Sequence, residues 1–199
     1  MELIVQSIQD LCLCLVKNGD NIGLSGGRIL LTALFTALTA AGTILRIGEC
    51  SLQTLFSVLS GLLLGPVWGP VSQLLYFVLG LTGLPMFIYG GGLLYAVEQP
   101  TFGYLLGMIL SSFVSGILTE KTDWNIWIVS ALGLLSVYLI GTPYAYFYFL
   151  HRGAEALSFG TAVTMSFLVF VPIDIFKLFA AALIGKRLMP VLRKDLYEY

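Results

Sequence analysis

The sequence predicts an all-α integral membrane protein, a bundle of six transmembrane helices behind an N-terminal extension. Three observations carry that expectation. Hydrophobic residues make up 58% of the 199 and charged residues only 11%, against roughly 45–50% and about 25% in a soluble domain. The mean hydropathy of +0.93 means more apolar surface than a compact soluble fold could bury, so lipid must be the solvent for much of it. The apolar residues also fall into runs close to the 17–25 residues, roughly, that a hydrocarbon core about 30 Å thick requires, divided by glycine, proline and charge.

The first run is Ile29 to Leu45, bounded by Arg28 and Arg46. The second, Ser51 to Leu64, stops at the Gly65-Pro66 pair, and the third, Val67 to Leu84, ends at Pro85. A glycine-rich loop, PMFIYGGGLLYAVEQP, follows. The fourth run is Thr101 to Leu118, closed by Glu120, Lys121 and Asp123. The fifth is Trp124 to Ile140, opened by the interfacial aromatics Trp124 and Trp127. Ser158 to Leu188 is too long for one ordinary span, and Pro172 suits a first helical turn better than a helix interior. The sixth helix is therefore expected from Pro172 to Leu188, rising roughly 25 Å at about 1.5 Å per residue. The segment from Ala154 to Val171 would fold over or into the membrane from the other side. Residues 1–27 form the extension, a surface helix and a flexible NGDNIGLSGG linker. Glu2, Asp10 and the lack of a basic start argue against a secretory signal. The membrane domain is 28–199.

Basic residues set the orientation. With six spans, Lys17, Arg28, Lys121, Lys186, Arg187, Arg193 and Lys194 share one side, and Arg46 and Arg152 the other. Both termini should face the cytoplasm. The loops near Arg46, from Pro85 to Pro100, and around Arg152 should face outward.

Several function classes drop out. A net charge of −1 supplies no basic field for nucleic acid. Cys12, Cys14 and Cys50 lack a CxxC spacing and read as free thiols, and the single histidine, His151, leaves no ordinary zinc site. No HExxH, GxSxG, intramembrane aspartate pair or GxxxxGK[ST] occurs, so neither catalysis nor ATP hydrolysis is expected from this chain, and no cofactor.

Within the apolar runs only Asp174 and Lys177 remain charged. Ionisable groups in a bilayer are costly unless paired or wet, which makes them functional candidates. Their spacing puts them on one face of a helix, in the first two turns after Pro172, toward the outer side, where the helix dipole favours the aspartate. A structural ion pair and a ligand anchor both fit. In the outward loop, Gly90, Gly91 and Gly92 allow positive φ and close approach, and Phe87, Tyr89 and Tyr95 suit a lid over an apolar ring; an ordinary flexible loop is the alternative. Ala33, Ala37 and Ala41 form a smooth stripe on the first helix, a docking face for another subunit or a packing seam. Gly61 with Gly65, and Gly103 with Gly107, make GxxxG pairs expected to pack internally. Gln53, Tyr76 and Tyr104 place single polar groups in apolar helices, each needing a partner if buried.

The motifs SLQTLF, GLLLGPVWG, LLYFVLGLTGLPMF, GGGL, PTFGYLLG and VPIDIFKLFAAALIGKRL, in this order and spacing, resemble the BioY family, the biotin-binding S-components of energy-coupling factor (ECF) transporters. The resemblance covers roughly Leu31 to Leu188. It implies an S-component fold that captures biotin from outside, and partnership with a membrane coupling subunit and two ATPases. It also implies that Asp174 and Lys177 lie at the biotin site, that the glycine-rich loop covers the ligand, and that Ala33 and Ala37 contact the coupling subunit. Where the family reads GPTGGY, this chain has Gln99 and Phe102 in place of two glycines, and the loop before SLQTLF reads RIGEC rather than carrying a proline. Biotin offers an apolar ring and chain, a ureido group with two N–H donors and one carbonyl, and a carboxylate, which suits an apolar pocket with few polar anchors. The expected assignment has Asp174 accepting from a ureido N–H and Lys177 donating to a ligand oxygen. Gln53 and Tyr104 complete the polar set, and Tyr76, Phe87, the three glycines and Thr101 line or cover the ligand. An S-component for thiamine or riboflavin, and a solitary transporter working without the module, are the alternatives; an intramembrane enzyme lacks any nucleophile–base or metal constellation.

Overall fold

The computed structural model describes Asp10, Cys14 and residues 26–47, 50–87, 90–153 and 158–197. Most of the N-terminal extension, and with it the expected surface helix, lies outside the described residues. So do Tyr89 and residues 154–157.

The architecture is the expected all-α membrane bundle. Helix α1 spans Gly26–Ile44. Two-residue strands, β1 (Arg46–Ile47) and β2 (Cys50–Ser51), pair antiparallel and turn the chain back into the bundle. The next helical stretch, Gln53–Leu81, is broken at Gly65, whose φ of 78° and ψ of −172° are not helical. The break makes two helices, α2 (53–64) and α3 (66–81), of a length that otherwise reads as one span. Contacts across the break show the fold-back. A Cβ on Gly69 would lie 2.9 Å from the Gly61 Cα, Gln73 donates to Ser60 Oγ at 3.2 Å, and Gln53 donates to the Tyr76 hydroxyl. On a straight helix the last two residues would stand roughly 34 Å apart. Gly65 occupies a backbone region that is nearly glycine-only, worth about 1–3 kcal/mol of strain for any other residue. Gly65→Ala should therefore lower the thermal midpoint of the purified protein, while Ala at lipid-facing Val67 should leave it nearly unchanged.

Helix α4 (Leu93–Val97) is a short turn in the glycine-rich loop, and α5 runs Phe102–Lys121, close to expectation. Helix α6, Ile126–His151, is capped by Asn125, whose side chain accepts from the Trp127 N–H at 3.2 Å. It continues past the expected end at Ile140 and through Pro143. Helix α7 spans Phe159–Tyr197 and includes Pro172 and Pro190. The expected start at Pro172 is replaced by a bend: Phe159–Ser166 and Phe170–Leu192 meet at 47°. Proline lacks the N–H that would bond the Leu168 carbonyl and its ring crowds that carbonyl, so the helix kinks just before it instead of beginning there.

The core gathers Leu31 and Phe35 of α1, Leu55, Val58, Leu59 and Leu62–Leu64 of α2, Val129 and Leu134 of α6, and Ala181, Leu188 and Leu192 of α7. Helix α2 is buried on nearly every side, while α3 exposes Val67, Val71, Leu74, Leu75 and Val78, the distinction between a central and a lipid-facing helix. The glycine pairs pack internally as expected. A Cβ on Gly107 would come within 2.5 Å of the Val137 carbonyl oxygen, and Gly103 receives the Tyr144 side chain. Gly116 on α5 lies against the Gly65–Pro66 backbone, and Gly185 on α7 meets Leu62 and Ile126. These contacts put the α2–α3 turn, Lys121 and Lys186 at one end of the bundle; β1, β2 and the long loop lie at the other.

Candidate ligand-binding site

Asp174 and Lys177 lie one turn apart on α7 and are buried, 8% and 2% exposed. Lys177 Nζ stands 2.7 Å from Asp174 Oδ1 and donates to Thr54 Oγ1 of α2 at 3.1 Å. The Tyr138 hydroxyl of α6 donates to Asp174 Oδ2. Three helices thus converge on two opposite charges. The pair lies in the half of the bundle nearer the loops and away from the lysine-bearing end, since Thr54 stands at the start of α2 and the α2–α3 turn marks the other end.

An aromatic wall adjoins the pair. The Tyr104 ring stands edge-on to Tyr138 with centroids 6.1 Å apart, and Phe170 lies 5.3 Å from Tyr104 and 6.5 Å from Tyr138. Gly141 makes room for Tyr104, whose ring occupies the space a Cβ there would take. The Tyr104 hydroxyl donates to Ser166 Oγ at 2.9 Å, tying α5 to the part of α7 before the bend.

Desolvating two ions costs several kcal/mol each, recovered only when geometry and further hydrogen bonds are good. Here Thr54 and Tyr138 supply those bonds. An ammonium has three N–H donors, and each carboxylate oxygen has two lone pairs. Among the described residues, Asp174 and Thr54 take two of the donors, and Lys177 and Tyr138 take one lone pair on each oxygen. One N–H donor and two acceptor positions are left over.

The structure brings Tyr104 to this site but gathers Gln53 and Tyr76 into a separate cluster. Gln53 is next to Thr54, and the helical rotation between neighbours turns its amide toward α1 and α3 instead of α7. Its Nε2 donates to Thr43 Oγ1 at 2.8 Å and to the Tyr76 hydroxyl, and its Oε1 accepts from Ser51 Oγ at 2.7 Å. Tyr76 and Thr43 in turn donate to the Met86 carbonyl at 2.7 and 2.9 Å. These residues fasten the start of the glycine-rich loop. Phe87 is buried edge-on against Tyr76 at 5.9 Å, in the space above Gly80 that a Cβ would fill. Gly90 and Gly92 adopt φ of 132° and 104°. Gly90 bridges to Phe87, and the Gly92 N–H donates to the Gly80 carbonyl at 2.9 Å, while Gly91 sits against Leu84. The far end of the loop is held by Tyr144 and Tyr148, which donate to the carbonyls of Val97 and Glu98. Thr101, half-buried, precedes α5 without a side-chain cap.

Ala33, Ala37 and Ala41 are exposed, on the face of α1 opposite buried Leu31 and Phe35, so the stripe is not a packing seam among the described residues. Tyr138, Thr54, Ser166 and Phe170 were not legible as site residues from the sequence. A lone tyrosine in the apolar run LLSVYLI was the available signal, since a phenolic hydroxyl at bilayer depth requires a partner.

Comparison with known proteins agrees with this architecture. The profile of the BioY family matches residues 18–194. A probable biotin transporter BioY of Lysinibacillus sphaericus is 35% identical, over 83% of this chain and 88% of its own. The biotin transporter BioY of Thermotoga maritima is 35% identical, over 81% and 95%. Among solved structures, the S-component for biotin from an ECF-type ABC transporter superposes with a TM-score of 0.67 at 26% identity, covering 81% of this chain and 89% of that one.

Proposed function

The chain belongs to the BioY family, and on that premise we propose that it takes biotin up across the cytoplasmic membrane, capturing it at the Asp174–Lys177 pair from outside and delivering it inward. One observation carries the reading. The hydrogen-bonding capacity left on the buried pair, one donor and two acceptors, is the complement of a ureido group with its two N–H donors and one carbonyl. Tyr104, Tyr138 and Phe170 beside it offer aromatic surface for the apolar ring and chain. Nothing in this arrangement calls for bond making, in keeping with relatives named as transporters.

Energy would come from partners, a membrane coupling subunit and two ATPases, with Ala33 and Ala37 on the exposed face of α1 as the docking stripe. The excess of Lys and Arg at the α2–α3 turn end supports cytoplasmic termini, which puts the outward loop and the half of the bundle holding the pair on the external side. Gln53, Tyr76, Phe87, Gly90, Gly91, Gly92 and Thr101 then act at the mouth, holding and covering rather than contacting the ureido group.

Uptake of labelled biotin by cells expressing the chain with and without an ECF module tests the reading. Asp174→Asn exchanges an acceptor for a donor facing the ligand and should cut uptake by about ten- to a hundredfold, the worth of a charged hydrogen bond. Unlabelled biotin should compete and thiamine or riboflavin should not. Competition by either of those vitamins in place of biotin would move the chain to another S-component specificity.

A further inference from the structure

Both charges of the pair are held by neutral side chains from other helices, Tyr138 of α6 and Thr54 of α2. We propose that Tyr138 is the principal positioning residue of the biotin site: its hydroxyl fixes the Asp174 carboxylate so that the free lone pairs on the two oxygens point toward the ligand. The inference rests on the biotin reading and goes beyond it by naming a residue that acts through Asp174.

The geometry distinguishes the two oxygens. Lys177 is on the same helix as Asp174 and holds Oδ1; with that bond alone the carboxylate could still swing about its own axis and choose among orientations. The Tyr138 hydroxyl reaches Oδ2 from another helix and removes that freedom. Tyr138 is itself held on two sides, edge-on by Tyr104 and by Phe170, and is 7% exposed, so its donor cannot wander. A carboxylate pinned through both oxygens by groups on separate helices is preorganised, and preorganisation reduces the ordering cost of binding. Thr54 does the corresponding work for Lys177, which otherwise carries a flexible four-carbon stem.

The test is biotin binding to the purified full chain in nanodiscs, with Tyr138→Phe, Asp174→Asn and the double variant, and thermal midpoints for each. Phenylalanine keeps the ring contacts and loses only the hydroxyl. Binding by the wild type establishes that the biotin reading holds, and its absence would sink that reading separately. Given wild-type binding, Tyr138→Phe should weaken biotin by about tenfold or more, a charged hydrogen bond's worth. On the Asp174→Asn background the same change should cost less than about threefold, because its route of action is gone; high ligand concentrations keep that comparison measurable. Thr54→Ser should retain most of the affinity that Thr54→Val loses. Equal losses from Tyr138→Phe on both backgrounds, or wild-type affinity in Tyr138→Phe, would overturn the proposal. A lowered midpoint with wild-type affinity would make the hydroxyl a stabilising group only, and that result too counts against it.

Discussion

Replacing Lys177 by alanine is expected to abolish biotin binding and to lower the amount of folded protein recovered from membranes. The lysine is 2% exposed and holds Asp174 Oδ1 at 2.7 Å. Its removal leaves a carboxylate in the bundle with Tyr138 as its one remaining partner among the described residues. Breaking a buried pair from one side costs about 3–5 kcal/mol, because the surviving charge is uncompensated. The same change removes the one ammonium N–H left for the ligand, so binding is lost together with the pair. Thermal unfolding and labelled-biotin binding on the same preparation separate the two effects. Wild-type binding in Lys177→Ala would show that the pair is only structural.

Gly61→Val should be the most disruptive change to the scaffold. A Cβ there would fall inside the radius of the Ser112 carbonyl oxygen and lie 2.9 Å from both the Ser112 carbonyl carbon and Ser115 Cβ. The obstructing atoms are mostly backbone, so no rotamer change relieves them. Gly69 approaches Gly61 from α3, and α5 stands on the other side, so three helices would have to separate. Overpacking typically costs about 1–3 kcal/mol when side chains can yield, and here the cost should be at or above the top of that range. Loss of monodisperse protein on size exclusion is the expected result, with lipid-facing Leu139→Val, 71% exposed, as the control that stays folded. A well-folded Gly61→Val would mean that the α2–α5 contact can loosen without loss of the fold.

Helix identity was legible because hydropathy and bilayer thickness together fix how many apolar residues a span needs; helix ends were less so. Pro172 suggests a helix start because proline removes one hydrogen bond. In lipid, however, the residues before it must still satisfy their own backbone groups, and the helix is the way to do so; the chain bends and continues. Beyond Ile140 the run TPYAYFYFLH loses hydropathy contrast yet remains helical, because Tyr144 and Tyr148, one turn apart, reach down to loop carbonyls that no local pattern reveals. The ion pair was visible as the only charge in the apolar runs. Its partners were not: Thr54 and Tyr138 come from helices whose rotation about their own axes the sequence leaves open, and the same rotation sends Gln53 toward Tyr76. Which of two adjacent residues faces the site is a tertiary fact.

The most direct measurement is biotin binding by a chain in which the pair is replaced by apolar residues of similar volume, Asp174→Leu with Lys177→Met. A buried ion pair can often be exchanged for hydrophobic packing with little loss, or even a gain, in stability, so this double variant should fold with a thermal midpoint near that of the wild type. Biotin should then fail to bind at any concentration that saturates the wild type. A folded double variant that binds biotin as tightly as the wild type would contradict the assignment of these two charges to the ligand.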